Sequence, residues 1–573
     1  MIKLSKDNTK RQLAIHGWTG LVLGFLLYIV VFTGAVVVFE NELEQWSASH
    51  LQTSEVIDSS VTDLVNHLAK NTAQELWQDI DIHKHHGELE VFFHEHRLNK
   101  KGQKQPYGVQ YSINLNTINN PKTTLRKQII QNRQIGFPAN FEDPSGTEWV
   151  QFMRFMHTNL YIPGRLGFYA TGIIGLLLLV SAVSGFLLHR HLIKDMFLSP
   201  RKPKNKTGKT INYRDGHNLA ATWTLPYAFV LAFTGAFLSF ALTLGLPTIA
   251  YTAFKGDINT AMEKVSGKPS VALASEVSHS NQLLNLDNII IESQKRIDSY
   301  PNQINIRGYG SEQSVVITRH FAGYIDKDFM TNELMFDGNT GEFIQELSIV
   351  GQKPTISSDT LQLMFSLHFG NFSGWLSKLL WFGLGLLLCY VVITGFKLWF
   401  ERRIKQASWR RLYFSVPIIS YGVPISFLSA GLGFFFCYTS AINISMETSI
   451  WLGFGLGWLL SLASLIFVYQ MNTNNSLDNT SIKVETQSTL SMTHIKNNTQ
   501  SIDIRLNKSM QYINQYFRFV LAFFLLLLPI IRWQSSHIGW LTLAKNYTPS
   551  IIVIDLFFII AGLIFYHRFL TKK

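Results

Sequence analysis

The stretch AIHGWTGLVLGFLLYIVVFTGAVVVFE, residues 14–40, is an apolar run with His16 at its start and Thr33-Gly34 near its end. An α-helix needs about twenty apolar residues to cross ~30 Å of hydrocarbon, and this run has that length. Backbone amides cannot stay unpaired in lipid, so the run predicts a membrane helix. Similar runs predict eight spans in all, near 18–39, 168–189, 222–246, 376–400, 412–438, 447–470, 516–535 and 549–568.

The pattern of the first run recurs in DGHNLAATWTLPYAFVLAFTGAFLSF, residues 215–240, where His217 precedes Thr234-Gly235 by the same interval. A second histidine and a second Ser/Thr-Gly pair follow in each half of the chain, namely His157 with Ser184-Gly185 and His368 with Thr394-Gly395. Each half consists of a span, an outer domain and a span, so the two repeats are parallel and related by an axis along the membrane normal. They predict a four-helix transmembrane core, and facing helices in such bundles commonly house cofactors.

The predicted fold class is a mostly α membrane protein with two α+β outer domains and about four additional C-terminal transmembrane helices. Outer segments such as NELMFDGNTGEFIQEL alternate apolar and polar residues around a turn, which predicts a hairpin. The predicted boundaries are 1–40 for the N-terminus and first span, 41–156 for the first outer domain, 157–190 for the second span, 191–216 for a basic loop, 217–246 for the third span, 247–367 for the second outer domain, 368–401 for the fourth span, 402–470 for spans five and six, 471–515 for a polar linker and 516–573 for spans seven and eight.

Basic residues predict the orientation of these spans. The segments 1–17, 190–216 and 401–411 are rich in Lys and Arg, and all three fall on one side of the membrane. The positive-inside rule makes that side cytoplasmic, with both termini there and both large loops outside. The net charge of +12 is therefore explained by topology and by contact with an anionic lipid bilayer, and nucleic acid is not predicted as a partner.

The four repeated histidines predict a cofactor site at each end of the core. Parallel repeats bring equivalent residues face to face, so His16 is expected to oppose His217, and His157 to oppose His368. Two imidazoles across a bundle are the ligand set of a six-coordinate haem iron, so the prediction is two bis-histidine haem b groups. A single histidine at a helix end is more often an interfacial cap; the matched pairs favour ligation.

Several basic and histidine side chains near these pairs remain alternatives. His189 ends the second span at the depth of His16, so it is the reserve ligand for the inner haem. The haem propionates could accept charge-assisted hydrogen bonds from Arg11 or Arg190 at the inner end, and from Arg165 or Lys378 at the outer end.

The segments HGWTGLVLGFLLYIVVFTG, MHTNLYIPGRLG, YRDGHNLAATW, LHFGNFSGWLSK and the DGNTGE hairpin together resemble the PepSY-associated transmembrane family. The resemblance covers about residues 1–405. It implies a bacterial inner-membrane protein whose outer domains are PepSY-like and periplasmic. One branch of that family consists of haem-containing ferric-siderophore reductases, so the resemblance implies a transmembrane oxidoreductase that reduces a ferric siderophore or another iron chelate.

The electron donor is left open between quinol and a separate cytoplasmic flavoprotein, because the sequence carries no flavin or nicotinamide fingerprint. The alternative function is a non-catalytic PepSY module that binds a peptide, a protease or another periplasmic partner.

A further group of histidines lies in the first outer domain and consists of His83, His85, His86, His94 and His96. Alternate residues of a strand share a face, so His83 with His85, and His94 with His96, could present imidazoles together. The two interpretations are a transition-metal site and a solvated polar face.

Overall fold

The computed structural model describes residues 4–48, 60–85, 88–98, 104–114, 130–138, 146–189, 192, 196–197, 201, 206–266, 285–297, 299–320, 332–348, 356–370, 372–404, 406–439, 444–477, 492–536 and 550–571. These residues are mostly helical and include an antiparallel sheet. The helices are α1 Lys6–Val37, α2 Glu40–Ser47, α3 Val61–Lys70, α4 Glu148–Thr158, α5 Arg165–Leu188, α6 Lys206–Phe240, α7 Leu246–Ala253, α8 Ile258–Ser266, α9 Leu286–Ile297, α10 Ile356–Phe369, α11 Gly374–Glu401, α12 Ala407–Tyr413, α13 Ser415–Thr439, α14 Met446–Leu477, α15 Met492–Ser536 and α16 Ser550–Leu570.

Seven helical stretches among the described residues are long and apolar enough to cross a membrane, which confirms a multi-pass membrane protein. They are Lys6–Val37, Arg165–Leu188, Thr210–Ala253, Gly374–Glu401, Ser408–Cys437, Ser509–Ser536 and Ser550–Leu570. The predicted sixth span lies within α14, whose side chains are described only as far as Ser464, so that span stays a prediction.

Four of these helices form a closed ring. α1 packs against α5 and α11, and α6 packs against the same two neighbours, so α1 and α6 stand diagonally across the ring. The start of α1 and the connection between α5 and α6 lie at one end of the ring, which we call the terminal end. The segments that carry the strands join the helices at the other end, which we call the sheet end.

The short helix α2 connects the ring to the C-terminal helices. Glu42 on α2 is fully buried and accepts hydrogen bonds of 2.8 and 3.0 Å from Nζ of Lys378 on α11. Trp46 on α2 donates from Nε1 to Asp555 on α16, and the same carboxylate binds Arg532 on α15 at 2.7 Å. Charges buried in this way persist only when they are paired and hydrogen-bonded, so α2 fixes both helices to the ring.

The strands form one eight-stranded antiparallel sheet in the order β4-β3-β2-β1-β5-β6-β7-β8. Their bounds are β1 Asp79–His85, β2 Glu88–Leu98, β3 Lys104–Asn114, β4 Ile130–Gly136, β5 Gln303–Arg307, β6 Val315–His320, β7 Asn332–Asp337 and β8 Phe343–Ser348. Alternate residues such as Ile80, Phe93 and Ile306 face a core shared with α3 and α9, so the intervening residues form the opposite, polar face. The predicted hairpin exists, since β7 pairs with β8 around the DGNTGE turn.

The two predicted outer domains share this sheet. Its central pair joins β1 to β5, with Asp79 opposite Arg307 and Ile82 opposite Ile304. Asp287 on α9 also bonds the backbone amide of Val61 at the start of α3. Two separate four-stranded sheets would have four edge strands, and pairing β1 with β5 removes the two edges at those strands.

The described parts of the predicted linker at 471–515 are helical: α14 continues to Leu477 and α15 begins at Met492. Residues 478–491 lie outside the described residues. Helix propagation costs little once a stable turn exists, so apolar membrane helices can extend into polar flanking sequence.

We expect Arg532→Ala to destabilise the protein by about 3–5 kcal/mol, because it leaves Asp555 as an unpaired charge at 1% exposure. The measurement is thermal unfolding of the detergent-purified protein. The double variant Arg532→Leu/Asp555→Leu removes both charges and should recover most of that loss. Equal loss in the single and double variants would contradict the assignment of the effect to the unpaired carboxylate.

Candidate functional site

At the terminal end of the ring, two imidazoles face each other across the diagonal; we call His16 and His217 the terminal pair. Their ring centroids lie 6.2 Å apart. His16 donates from Nδ1 to the carbonyl oxygen of Ser181 on α5 at 3.0 Å, and His217 donates from Nδ1 to that of Val391 on α11 at 3.0 Å. Both rings are therefore held by the neighbouring helix of their own half of the chain.

At the sheet end a second pair has the same form; we call His157 and His368 the sheet-side pair. Their centroids lie 5.9 Å apart with an interplanar angle of 28°. His157, on α4, donates from Nδ1 to the carbonyl oxygen of Val30 at 2.9 Å. His368, on α10, donates from Nδ1 to Oγ1 of Thr234 at 2.9 Å, and that hydroxyl donates onward to the carbonyl of Val230.

These hydrogen bonds determine the tautomer of the rings. A carbonyl oxygen only accepts, and the Thr234 hydroxyl already donates elsewhere, so each neutral ring carries its hydrogen on Nδ1. Nε2 then keeps its lone pair, and within the described residues it has no hydrogen-bond partner in any of the four rings. A neutral imidazole oriented through its other nitrogen is the usual form of a metal-ligating histidine.

A glycine makes room for each imidazole, and these are the glycines of the repeated Ser/Thr-Gly pairs. A Cβ atom on Gly34 would lie 2.6 Å from Cε1 of His157, and one on Gly235 would lie 3.1 Å from Cε1 of His368. Gly185 and Gly395 stand in the same relation to His16 and His217, at 3.2 and 3.6 Å. The Ser/Thr-Gly pair therefore positions the histidine. The glycine leaves space for the ring, and the hydroxyl or a nearby carbonyl accepts a hydrogen bond from Nδ1.

Tight turns bring the sheet-side histidines back over the ring. The chain reverses between α4 and α5 through Leu160 and Tyr161, which both have positive φ, and through Gly164 at φ 69°. Oδ1 of Asn159 accepts from the amide of Tyr161 and stabilises this turn. Gly370 at φ 67° has the corresponding role between α10 and α11, a conformation that glycine adopts without strain.

The other residues predicted for these sites have varied positions. The ring that faces His16 is that of His217. His189 hydrogen-bonds through Nε2 with Oγ1 of Thr222 at 3.2 Å. Arg11 and Arg165 have exposed side chains near the terminal and sheet ends. Lys378 is paired with buried Glu42. Arg190 lies outside the described residues.

The histidine group of the first outer domain divides along the strands. His94 and His96 lie close to Asp79 on the polar face of the sheet, and Asp79 is a residue that the histidine pattern did not include. His83 is on the same face of β1, beyond Asp81. The side chain of His85 and the whole of His86 lie outside the described residues.

The ring separations in both histidine pairs are compatible with haem. A metal–imidazole bond is about 2 Å long and the ring centre lies ~1 Å beyond the nitrogen, so two imidazoles on opposite sides of one ion have centroids about 6 Å apart. The observed separations are 6.2 and 5.9 Å, and the lone pairs on Nε2 are available. If haem is bound, the terminal pair and the sheet-side pair are the residues that would hold it.

A cavity of about 1530 Å³ lies between α1, α11, α13, α15 and α16 and was not anticipated from the sequence. Its walls are largely apolar, with Phe427, Leu525 and Phe558 among them, while Glu401, Lys397 and Arg518 give one end polar character. Tyr390 and Ile393 of α11 line it, and between them Val391 supplies the carbonyl that holds His217. One helix therefore separates the cavity from the terminal pair.

In a comparison with known protein families, a family model described as PepSY-associated TM region matches residues 13–402. That range contains all four paired histidines and the whole sheet. No curated protein matches the chain.

If haem is bound as these pairs allow, we expect Gly34→Ala to lower the haem content of the purified protein by up to half, because the new Cβ would press on His157, whose ring is held by Val30. The control is Gly20→Ala on the same helix, where nothing lies within 4 Å of the added Cβ. The measurement is the haem-to-protein ratio. Equal ratios in the two variants would show that the sheet-side pair does not depend on this close fit.

Proposed function

Because the chain belongs to the PepSY-associated transmembrane family, we propose that it is a haem-containing oxidoreductase that moves electrons across a membrane to a ferric chelate. The observation that carries the proposal is the presence of two equivalent imidazole pairs at the two ends of one helical ring. His16 and Val30, which belongs to the sheet-side site, are separated by fourteen residues of α1, or about 20 Å along a helix. This is much of the thickness of a bilayer.

The residues of the chain have three tasks in this function. The four histidines, whose Nδ1 atoms donate to neighbouring helices, would hold the haem through Nε2. The apolar helices exclude water, and a water-poor site raises the sensitivity of a redox centre to nearby charge. Arg11 and Arg165 are the basic side chains that we propose for the propionates. Bound haem would supply one-electron redox chemistry, which none of these side chains provides.

The proposed substrate is a ferric siderophore or similar iron chelate on the sheet side. Siderophores bind iron through hard oxygen ligands, which favour Fe³⁺ over the softer Fe²⁺. Addition of one electron to the chelated Fe³⁺ gives Fe²⁺, and the weakened chelate then releases it. The released ion would be available to a separate transporter.

We propose quinol as the electron donor in preference to a cytoplasmic flavoprotein. The cavity beside the terminal pair is larger than the 300–1,000 Å³ of ordinary small-molecule sites, opens within the membrane helices and combines apolar walls with a polar end, as a long isoprenoid tail and a ring head group require. Oxidation of one quinol to quinone releases two electrons and two protons. The two electrons reduce two ferric chelates in succession, and Glu401 is a carboxylate at the polar end that can accept one proton while solvent takes the other.

The proposed setting is the inner membrane of a bacterium, with the sheet in the periplasm and both termini in the cytoplasm. The two halves of the chain are proposed to be parallel repeats about one axis. The matched anchoring of His16 with His217, each to the neighbouring helix of its own half, supports that proposal.

We expect the reduced-minus-oxidised spectrum of the detergent-purified protein to contain two low-spin b-type components. His157→Ala and His368→Ala should remove the same component, and His16→Ala and His217→Ala the other. His189→Ala should retain both, since its ring bonds Thr222. Colourless protein from cells supplied with haem would contradict the proposal and favour a non-catalytic module that binds a periplasmic partner.

We expect Ala561→Phe, which fills part of the cavity wall, to lower the quinol-driven rate of ferric-chelate reduction and the amount of co-purified quinone. Leu563→Phe on the same helix is the control, because its side chain is exposed on the outer surface and does not line the cavity. Reduction by dithionite should be the same in both variants. Activity with a flavoprotein but not with any quinol would overturn the choice of donor without touching the haem assignment.

A further inference from the structure

The polar face of the sheet carries a second cluster of ligand-type side chains, far in sequence from the four paired histidines. It consists of Asp79 on β1 with His94 and His96 on β2, and we call it the sheet triad. Asp79 stands directly opposite His94 in the strand register. One ligand-type atom from each of the three residues lies within 4.8 Å of the other two.

His94 is buried at 5% exposure and uses only one of its two nitrogens. Nε2 donates to Oδ2 of Asp81 at 2.8 Å, which leaves the lone pair on Nδ1. Nδ1 is buried and has no hydrogen-bond partner within the described residues. A buried acceptor without a partner costs about 1–3 kcal/mol, so a ligand bound at this atom would recover a cost that no described residue offsets.

Asp81 orients the ring of His94 in the way that carboxylates orient histidine ligands in known metal sites. Asp81 accepts from His94 through one oxygen and from Asn305 on β5 through the other. A carboxylate that binds the far nitrogen of a histidine fixes the ring and makes the near nitrogen a better metal ligand. Asp81 therefore acts as a positioning residue.

Asp79 supplies an anionic oxygen in the same place. Its side chain is 6% exposed, and its two oxygens face different nitrogen-bearing side chains. Oδ2 lies 3.8 Å from Nδ1 of His96, and Oδ1 lies 3.9 Å from Nε of Arg307. Both distances exceed that of a hydrogen bond, so Oδ2 can approach an ion while Arg307 balances the charge on the other oxygen.

We propose that the sheet triad binds a divalent first-row transition-metal ion through Asp79, His94 and His96. Two imidazoles and one carboxylate are a ligand set for Fe²⁺, Zn²⁺ and related ions, and three protein ligands leave coordination positions open. His96 is exposed, so the ion can enter and leave from solvent. The site is separate from the proposed haem ligands and does not depend on them.

The test is equilibrium dialysis of the full-length, chelator-treated protein, without an affinity tag, against Co²⁺, with metal counted per chain. We expect one ion per chain in the wild type. Asp79→Asn and His94→Ala should each weaken binding at least tenfold, and Asp81→Asn about 10–100-fold as expected for a positioning residue. His83→Ala, on the same face of β1 but outside the triad, is the matched control and should bind as the wild type does.

Thermal unfolding without metal separates loss of ligation from loss of fold. Asp81→Asn should leave that unfolding temperature within a few degrees of the wild-type value and should remove the upward shift produced by Co²⁺. The double variant His157→Ala/His368→Ala should still bind Co²⁺, which keeps this result independent of haem. No binding at millimolar Co²⁺, or equal affinity in the wild type and His94→Ala, would overturn the proposal.

Discussion

The hydrogen bond from Nδ1 of each paired histidine to a neighbouring helix is the interaction on which the membrane part of the molecule depends. An imidazole among apolar helices must satisfy its N–H group, because an unpaired polar group there is costly. The acceptors on α5 and α11 are carbonyls close to a glycine, where the missing Cβ lets Cε1 and Nδ1 of the ring approach the helix. The same bond fixes the distance between helices, the tautomer and the direction of the free lone pair.

The C-terminal helices have a structural task that follows from buried charge. Helices in lipid gain little from hydrophobic association, so specific polar contacts between them carry more of the assembly. Glu42 binds Lys378, and Asp555 binds both Trp46 and Arg532, so α2 holds α11 on one side and α15 and α16 on the other. α11, α15 and α16 also line the large cavity, so these ion pairs fix helices that form part of its wall.

The sequence predicted the features that depend on spacing along one chain segment. Apolar run length predicts the spans, and the repeated interval from His16 and His217 to their Thr-Gly pairs predicts which rings face each other. Features that depend on how distant segments meet were missed. Asp79 joins His94 only through the register of β1 and β2. Lys378, a predicted propionate partner, is paired with Glu42 of α2 instead. That contact was not predicted because α2 has eight residues, too few for a clear helical pattern in the sequence.

The order of strands in the sheet bears on how such a chain could arise. From the centre outward, the strand order is β1 to β4 on one side and β5 to β8 on the other, and the two central strands pair antiparallel. The sheet of a chain of half this length would have β1 as an exposed edge. A second copy could pair with that edge in the same antiparallel way, as an isologous interface requires. Each copy would also carry one histidine of each pair. A symmetric homodimer of half-length chains would thus assemble both pairs at its two-fold axis, and fusion of the two genes would fix that dimer in a single polypeptide.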